Sequence, residues 1–180
     1  MAEQRNYMAE VQALIDEKFK DNPEELKRLM RELEAKKKVK QEIPKKVVSK
    51  VVSNDPVLTA EVLEELNKGR GLNIERIKDL ILRGANPEVK DRWGICPFHW
   101  ASYLGDITLA QLCIDGGVDI NVLDRDDETA LHWACDGNSL ELAEFLLVLG
   151  LNPNAKTRSG KTILDYSHTE EMRNLVKKYM

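Results

Sequence analysis

Cysteine, histidine and aromatic residues are scarce in this sequence. It has three cysteines and three histidines among 180 residues, and aromatic side chains make up 6% of the chain. Three cysteines are too few for a disulfide framework, so we expect reduced thiols and an intracellular compartment, either cytoplasmic or nuclear. The first residues lack the basic start and apolar block of a secretory signal. No run of about 18 apolar residues that would suit a membrane span occurs in the sequence.

Apolar and charged residues are plentiful instead, at 42% and 32% of the chain. A chain of this length and composition can bury the core of one domain and carry an appendage. The charge is unevenly distributed. The net charge is −4, yet the stretch Lys36–Lys50 (KKKVKQEIPKKVVSK) holds seven lysines and one glutamate. The protein is therefore acidic as a whole, with one local basic segment.

The first 35 residues carry two amphipathic patterns. Apolar residues recur every three or four positions in YMAEVQALIDEKF and again in LKRLMREL. Between them, Asn22 and Pro23 suit a helix start, and Glu25 completes a capping box. We predict an amphipathic helical extension over residues 1–35 and a lysine-rich linker over residues 36–54. Two short helices bury too little surface to be stable alone, so their apolar stripe is expected to pack on another surface.

The lysine run in the linker allows three interpretations. The first is a solvated tether between the extension and the rest of the chain. The second is a nuclear import signal, because KKKVK resembles one. The third is nucleic-acid binding, which is disfavoured because no aromatic residues interleave with the lysines.

From Asp55 onward the sequence repeats itself. Two series of residues recur every 33 positions, namely Gly84, Gly117 and Gly150, and Cys96, Thr129 and Thr162. The segments CPFHWA, TALHWA and TILDYS stand in the same register. A repeat of this length within one chain indicates a solenoid built from stacked units.

Residues 55–180 resemble the ankyrin-repeat family. The family motif T-P-L-H-x-A, at the start of the first helix of a unit, is similar to CPFHWA and TALHWA. The family motif G-A-D-x-N, after the second helix, is similar to GVDIN and GLNPN. The resemblance implies an all-α fold, an ankyrin-repeat solenoid of about four helix-turn-helix units that follows the helical N-terminal extension. The units span about 55–90, 91–123, 124–156 and 157–180, and the outer two serve as caps because their outer faces meet water.

The sequence departs from the family pattern at several positions. The first helix of the first unit, PVLTAEVLEEL, does not fit the register, and the NKGRGLN loop after it resembles an insertion. Asp127 replaces a turn glycine, and Asn138 replaces the glycine between two helices. Both residue types tolerate left-handed backbone angles, so we expect the fold to accommodate them.

Two repeated segments carry mirrored pairs that look like zinc ligands, Cys96-x-x-His99 and His132-x-x-Cys135. Zinc needs four ligands at roughly 2.0–2.3 Å, whereas equivalent positions in stacked repeats lie about 10 Å apart. The resemblance implies instead that both histidines hydrogen-bond at the base of a first helix. We therefore expect no metal site, no cofactor and no catalytic residue, and hence no enzyme.

Other residues with potential chemistry also have structural interpretations. Trp100 and Trp133 share one slot of the repeat and are expected to pack between units. Cys113 is expected to be a small buried side chain. His168 lies in the joint of the last unit and has no catalytic partner nearby in the sequence.

The resemblance places the turn tips and the exposed side of the first helices on one concave face, which is the expected partner-binding surface. Its predicted contact residues are Lys90, Arg92, Trp93, Ile95, Tyr103, Leu104, Arg125, Asp126, Glu128, Asp136, Arg158 and Lys161. Trp93 is unusual, since a large aromatic residue stands at a turn tip. Trp, Tyr and Arg often carry binding energy at interfaces. The alternative is that Trp93 folds back onto the first unit or the extension.

These features predict a non-catalytic protein–protein interaction module that binds another protein through the concave face. The alternative is a constitutive structural subunit of a large assembly, anchored by the N-terminal helices and the basic linker. The apolar stripes in the first 35 residues favour that alternative, because an adaptor does not need them. Nucleic acid and membrane are not expected partners.

Overall fold

The computed structural model describes residues 54–180 of the chain. The predicted helical extension over residues 1–35, and the predicted linker apart from its last residue, lie outside this range. Eight α-helices and one 3-10 turn follow one another in the described residues, which contain no strand. A single isolated antiparallel bridge joins Lys156 and Thr162. The all-α class predicted from the sequence is confirmed.

The helices are short and come in pairs. In chain order they are α1 (Pro56–Leu66), α2 (Ile74–Leu82), α3 (Pro97–Leu104), α4 (Ile107–Asp115), α5 (Ala130–Asp136), α6 (Leu140–Leu149), α7 (Ile163–Tyr166) and α8 (Glu170–Lys177). The 3-10 turn, Gly69–Gly71, lies between α1 and α2, within the NKGRGLN segment that the sequence marks as an insertion.

Polar side chains define where several helices begin. The Asp55 carboxylate accepts a 2.8 Å hydrogen bond from the Val57 amide at the start of α1. Asp106 does the same for α4, accepting from the Leu109 amide at 2.8 Å. Such caps satisfy amides that have no partner inside the helix. Pro97 occupies the first turn of α3, where a missing N–H costs nothing.

The helix pairs stack in two layers. The first helices α3, α5 and α7 pack on one another in one layer. In the other layer, α2 packs on α4 and α6 packs on α8. Fully buried apolar side chains fill the space between the layers along the whole array, including Leu66, Ile77, Leu109, Leu131, Leu146 and Met172. Each such side chain contributes about 1.5–3 kcal/mol through burial.

Asp127 and Asn138, which replace glycines of the family pattern, adopt left-handed backbone angles. The φ angle is 61° at Asp127 and 53° at Asn138, and Gly105, the residue equivalent to Asn138 one unit earlier, has a φ of 73°. The prediction that both residues would be accommodated in this way is confirmed. Asn138 also accepts a 2.8 Å hydrogen bond from the Thr169 hydroxyl, which ties the third unit to the last.

One close approach fixes how α5 sits on α3. A β-carbon at Gly137 would overlap the backbone carbonyl of Tyr103. The Ser139 hydroxyl donates a 3.0 Å hydrogen bond to the same carbonyl oxygen. The far ends of the first helices of two units are therefore held together by backbone contact.

In residues 54–180, all helices are too short or too polar to traverse a bilayer.

Candidate functional site

The twelve predicted contact residues lie on the turn tips and along the first helices. None of them is buried. Ile95, Tyr103 and Glu128 are half-buried, and the others are exposed. The side chains are therefore accessible.

The turn tips are built in the same way in successive units. The Asp91 carboxylate accepts 2.9 Å hydrogen bonds from the amides of Trp93 and Ile95, which closes the turn before α3. Asp124 does the same in the next unit, accepting from the amides of Asp126 and Glu128. Each tip thus presents its residues on a backbone that its own aspartate fixes.

Backbone hydrogen bonds also join one tip to the next. The amide of Arg125 donates to the carbonyl of Trp93 at 2.9 Å. The amide of Arg158 donates to the carbonyl of Asp126 at 2.8 Å, one unit later. The three tips therefore form a continuous edge, in which the backbones of Trp93 and Asp126 are fixed relative to one another.

Trp93 is the exposed aromatic residue of this edge. It is 44% exposed, and the guanidinium of Arg92 lies 3.9 Å from its ring centroid. At that distance the cation is attracted to the ring face. Trp93 therefore keeps nearly half of its surface accessible.

The predicted contact residues Arg92, Trp93, Ile95, Tyr103 and Leu104 lie in two separate places. The first three belong to the turn before α3, whereas Tyr103 and Leu104 are the last two residues of that helix. An eight-residue helix is about 12 Å long. The face therefore has one apolar area at the turn tips and another at the helix ends, where Leu104 is 50% exposed.

A row of packed rings lies beneath the face. The rings of Trp100 and Tyr103 contact the ring of Trp133, with centroids 5.5 and 6.2 Å away. Further along, the ring of His132 packs on Tyr166 at 5.1 Å. Both pairs of stacked first helices are joined by such contacts, which confirms that Trp100 and Trp133 pack between units. Tyr103 also takes part in this packing. Part of its side chain therefore supports the helices, and the rest is exposed on the face.

The far end of the face is acidic. The hydroxyl of Tyr166 donates a hydrogen bond to the carboxylate of Glu128, and Asp136 lies 3.2 Å from Nε2 of His168. A depression of about 380 Å³ opens beside these pairs. Its lining residues are Asp136, Ser159, Gly160, Lys161, Asp165, Tyr166 and His168.

Burial and neighbouring charges raise the pKa values of two side chains at this end, Glu128 and Tyr166. The pKa of Glu128 is raised, chiefly by burial and also by the negative charges of Asp124, Asp126 and Asp136. The pKa of Tyr166 is raised for the same two reasons and by its hydrogen bond to Glu128. The surroundings of Glu128 are therefore negative.

The residues that look like zinc ligands are separated by the repeat. Nδ1 of His99 accepts from the Cys96 amide at 3.2 Å, and Nδ1 of His132 accepts from the Thr129 amide at 3.1 Å. Each histidine thus completes a capping box within its own unit. Cys135 is buried near Ser167, and burial raises the pKa of its thiol to about 11.

No group of three or more histidine, cysteine, aspartate or glutamate side chains within residues 54–180 is placed to hold a metal ion. Cys113 is also buried, and burial raises the pKa of its thiol well above its ordinary value. Thiols in such surroundings stay protonated and are poor nucleophiles.

The sequence did not single out Tyr166 or the contact between Asp136 and His168. Tyr166 stands 33 residues after Trp133, which itself stands 33 residues after Trp100. The repeat register was therefore sufficient to place an aromatic residue of the last unit in the same row. The contact of His168 comes from the preceding unit, 32 residues earlier.

A protein-family model described as "Ankyrin repeats (3 copies)" matches residues 68–157 and, in a second overlapping placement, residues 98–177. Together the two placements cover more than half of the 180 residues. A comparison with curated proteins gave no match.

Proposed function

The chain belongs to the ankyrin-repeat family, and on that premise we propose that it is a non-catalytic adaptor whose concave face binds a segment of another protein. Ankyrin repeats are protein–protein interaction modules and are generally non-catalytic. The proposal adds the place of binding, which is the edge of turn tips and the exposed sides of α3, α5 and α7. It also assigns the twelve contact residues named above.

The observation that carries this proposal is the setting of Trp93. A large aromatic side chain is nearly half exposed on a tip whose backbone is fixed on both sides. The cation of Arg92 holds the ring in place. A preorganised aromatic residue loses little conformational entropy on binding and so makes an effective anchor.

The test is affinity capture from native cell extract with the full chain as bait, read by mass spectrometry. The test variant combines Trp93→Ala and Leu104→Ala, which removes both exposed apolar areas of the face. The control combines Leu82→Ala and Val148→Ala, which removes apolar side chains of similar exposure, 46% and 40%, from the second helices α2 and α6. Circular dichroism checks that both variants are folded.

Partners that the test variant loses and the control keeps support the concave face as the binding site. The test variant is expected to weaken binding by about 2 kcal/mol or more, the loss that removal of a hot-spot aromatic residue causes. A third bait, Leu29→Ser with Leu33→Ser, interrupts the apolar pattern of the first 35 residues. Partners that only this bait loses would reject the adaptor and favour a constitutive subunit anchored through its N-terminal residues.

A further inference from the structure

Resting on the proposed function, we propose that the partner is a basic segment whose arginine or lysine side chains dock on the acidic end of the concave face. The acidic end comprises Asp126, Glu128 and Asp136. Apolar residues of the same segment would lie on Tyr103, Leu104 and Trp93. The proposal thus names the chemistry of the partner that the face selects.

Charge complementarity is the first argument. The charges that act on Glu128 are those of Asp124, Asp126 and Asp136, and all of them are negative. Glu128, Asp124 and Asp136 act together in the same way on Tyr166. A cation brought to this end is therefore attracted by several carboxylates, of which Glu128 is half-buried and Asp126 and Asp136 are exposed.

Two of the turn-tip arginines already have partners, whereas Arg125, next to Asp126, is exposed. Arg158 binds both carboxylate oxygens of Asp127, at 3.1 and 3.2 Å. Arg92 lies on the ring of Trp93. Lys161 lines the depression, with its amino group 5.7 Å from the ring centroid of Tyr166. Glu128 uses one carboxylate oxygen to accept from Tyr166, and its other oxygen and the exposed carboxylate of Asp126 are the groups offered to a partner.

The shape of the face is the second argument. The depression beside Asp136 has a volume of about 380 Å³, which lies at the lower end of the range for ligand pockets and suits one long side chain. Tyr166 and the acidic residues Asp136 and Asp165 line it, alongside Lys161 and His168. An arginine or lysine there can contact a carboxylate and an aromatic face together.

The test is selection of random peptides of about 12 residues on the immobilised full chain. Enriched peptides are then measured by fluorescence anisotropy against the chain and its variants. The test variant combines Asp126→Asn and Asp136→Asn, two exposed and isosteric changes. The matched control combines Glu64→Gln and Glu141→Gln, which removes the same charge from exposed positions of α1 and α6. A third variant, Trp93→Ala, reports on the face as a whole.

The enriched peptides are expected to carry a net positive charge. Their affinity is expected to fall at least about tenfold in the test variant, and to change little in the control. It is also expected to fall as salt is raised from about 0.05 M to about 0.5 M.

Neutral or acidic peptides that depend on Trp93 would overturn the choice of a basic partner and leave the proposed binding face standing. Basic peptides that bind the test variant as well as the unchanged chain would also overturn it, since the acidic end would then play no part. Failure to enrich any peptide that depends on Trp93 or on the acidic end would overturn both proposals.

Discussion

His99 and His132 each accept a hydrogen bond at Nδ1 from the backbone amide three residues earlier. An accepting nitrogen carries no proton, so each ring is held in the neutral form with its proton on Nε2. Burial is the main reason why the pKa of each histidine is lowered to about 4. The negative charge of Asp124 acts in the opposite direction and does not overcome it. These side chains thus stabilise the starts of α3 and α5 while they are uncharged.

The first prediction concerns acid. The unfolded chain binds protons on these histidines below about pH 6.5 and the native chain does not, so stability is lost as the pH falls from about 6.5 toward 4. For His99 the loss is about 2 kcal/mol at a pH of about 5. The variant His99→Gln keeps an acceptor but cannot titrate. Its free energy of unfolding, measured with urea, is expected to fall less between about pH 7 and 5 than that of the unchanged chain.

His168→Gln supplies the matched control for this experiment, since His168 is exposed. Identical pH dependence in His99→Gln and in the unchanged chain would show that His99 does not contribute to acid sensitivity.

Helix α1 belongs to the unit whose sequence diverges from the repeat, and a buried side chain attaches it to α2. Glu65 is buried on α1, where its carboxylate binds the amino group of Lys68 at 2.7 Å and the guanidinium of Arg76 at 3.4 Å. It also accepts a hydrogen bond from the amide of Asn73, the cap of α2. The hydrogen bond from Lys68 is the main reason that the pKa of Glu65 lies below its ordinary value. One side chain therefore joins α1, the 3-10 turn and α2.

The second prediction is that Glu65→Gln destabilises the chain by about 2 kcal/mol, because the buried carboxylate is replaced by a neutral amide with one oxygen, which cannot accept from both Lys68 and the Asn73 amide. Glu64→Gln, one residue earlier on the same helix, alters an exposed glutamate and is expected to change stability by less than about 0.5 kcal/mol. Urea denaturation of both variants measures the difference. Equal stability of the two variants would mean that Glu65 is dispensable for joining α1 to α2.

The positions of the helices could be predicted because two local signals agree. Polar caps such as Asp106 and the 33-residue register both mark helix starts. The pairing of Glu128 with Tyr166 could not be predicted in this way, since the two residues are 38 positions apart and meet only after two units have stacked. Side-chain partners across units depend on packing distances that the register does not contain.

On the scale of the whole molecule, the repeat predicted the family, the helical class and the order of the elements, all of which are confirmed. The 33-residue register gives the units a common backbone, but their surfaces differ. The turn of the second unit carries an exposed Trp93, whereas the third unit carries a half-buried Glu128 in negative surroundings. These differences arise from single substitutions at equivalent positions of the repeat. The architecture is therefore easier to predict from the sequence than the chemistry of the surface is.

The last prediction follows from the stacking of the units in a row. Each unit is stabilised by its neighbours, and an end unit has only one neighbour. Met172 in α8 and Leu131 in α5 are both fully buried, and each change to alanine costs about 3 kcal/mol locally. Met172→Ala is expected to speed hydrogen exchange in α7 and α8 alone. Leu131→Ala is expected to speed it in α3 to α8, because the third unit supports neighbours on both sides. Hydrogen exchange of the full chain, read by mass spectrometry, distinguishes this from a single cooperative unit, in which Met172→Ala would speed exchange equally in every helix.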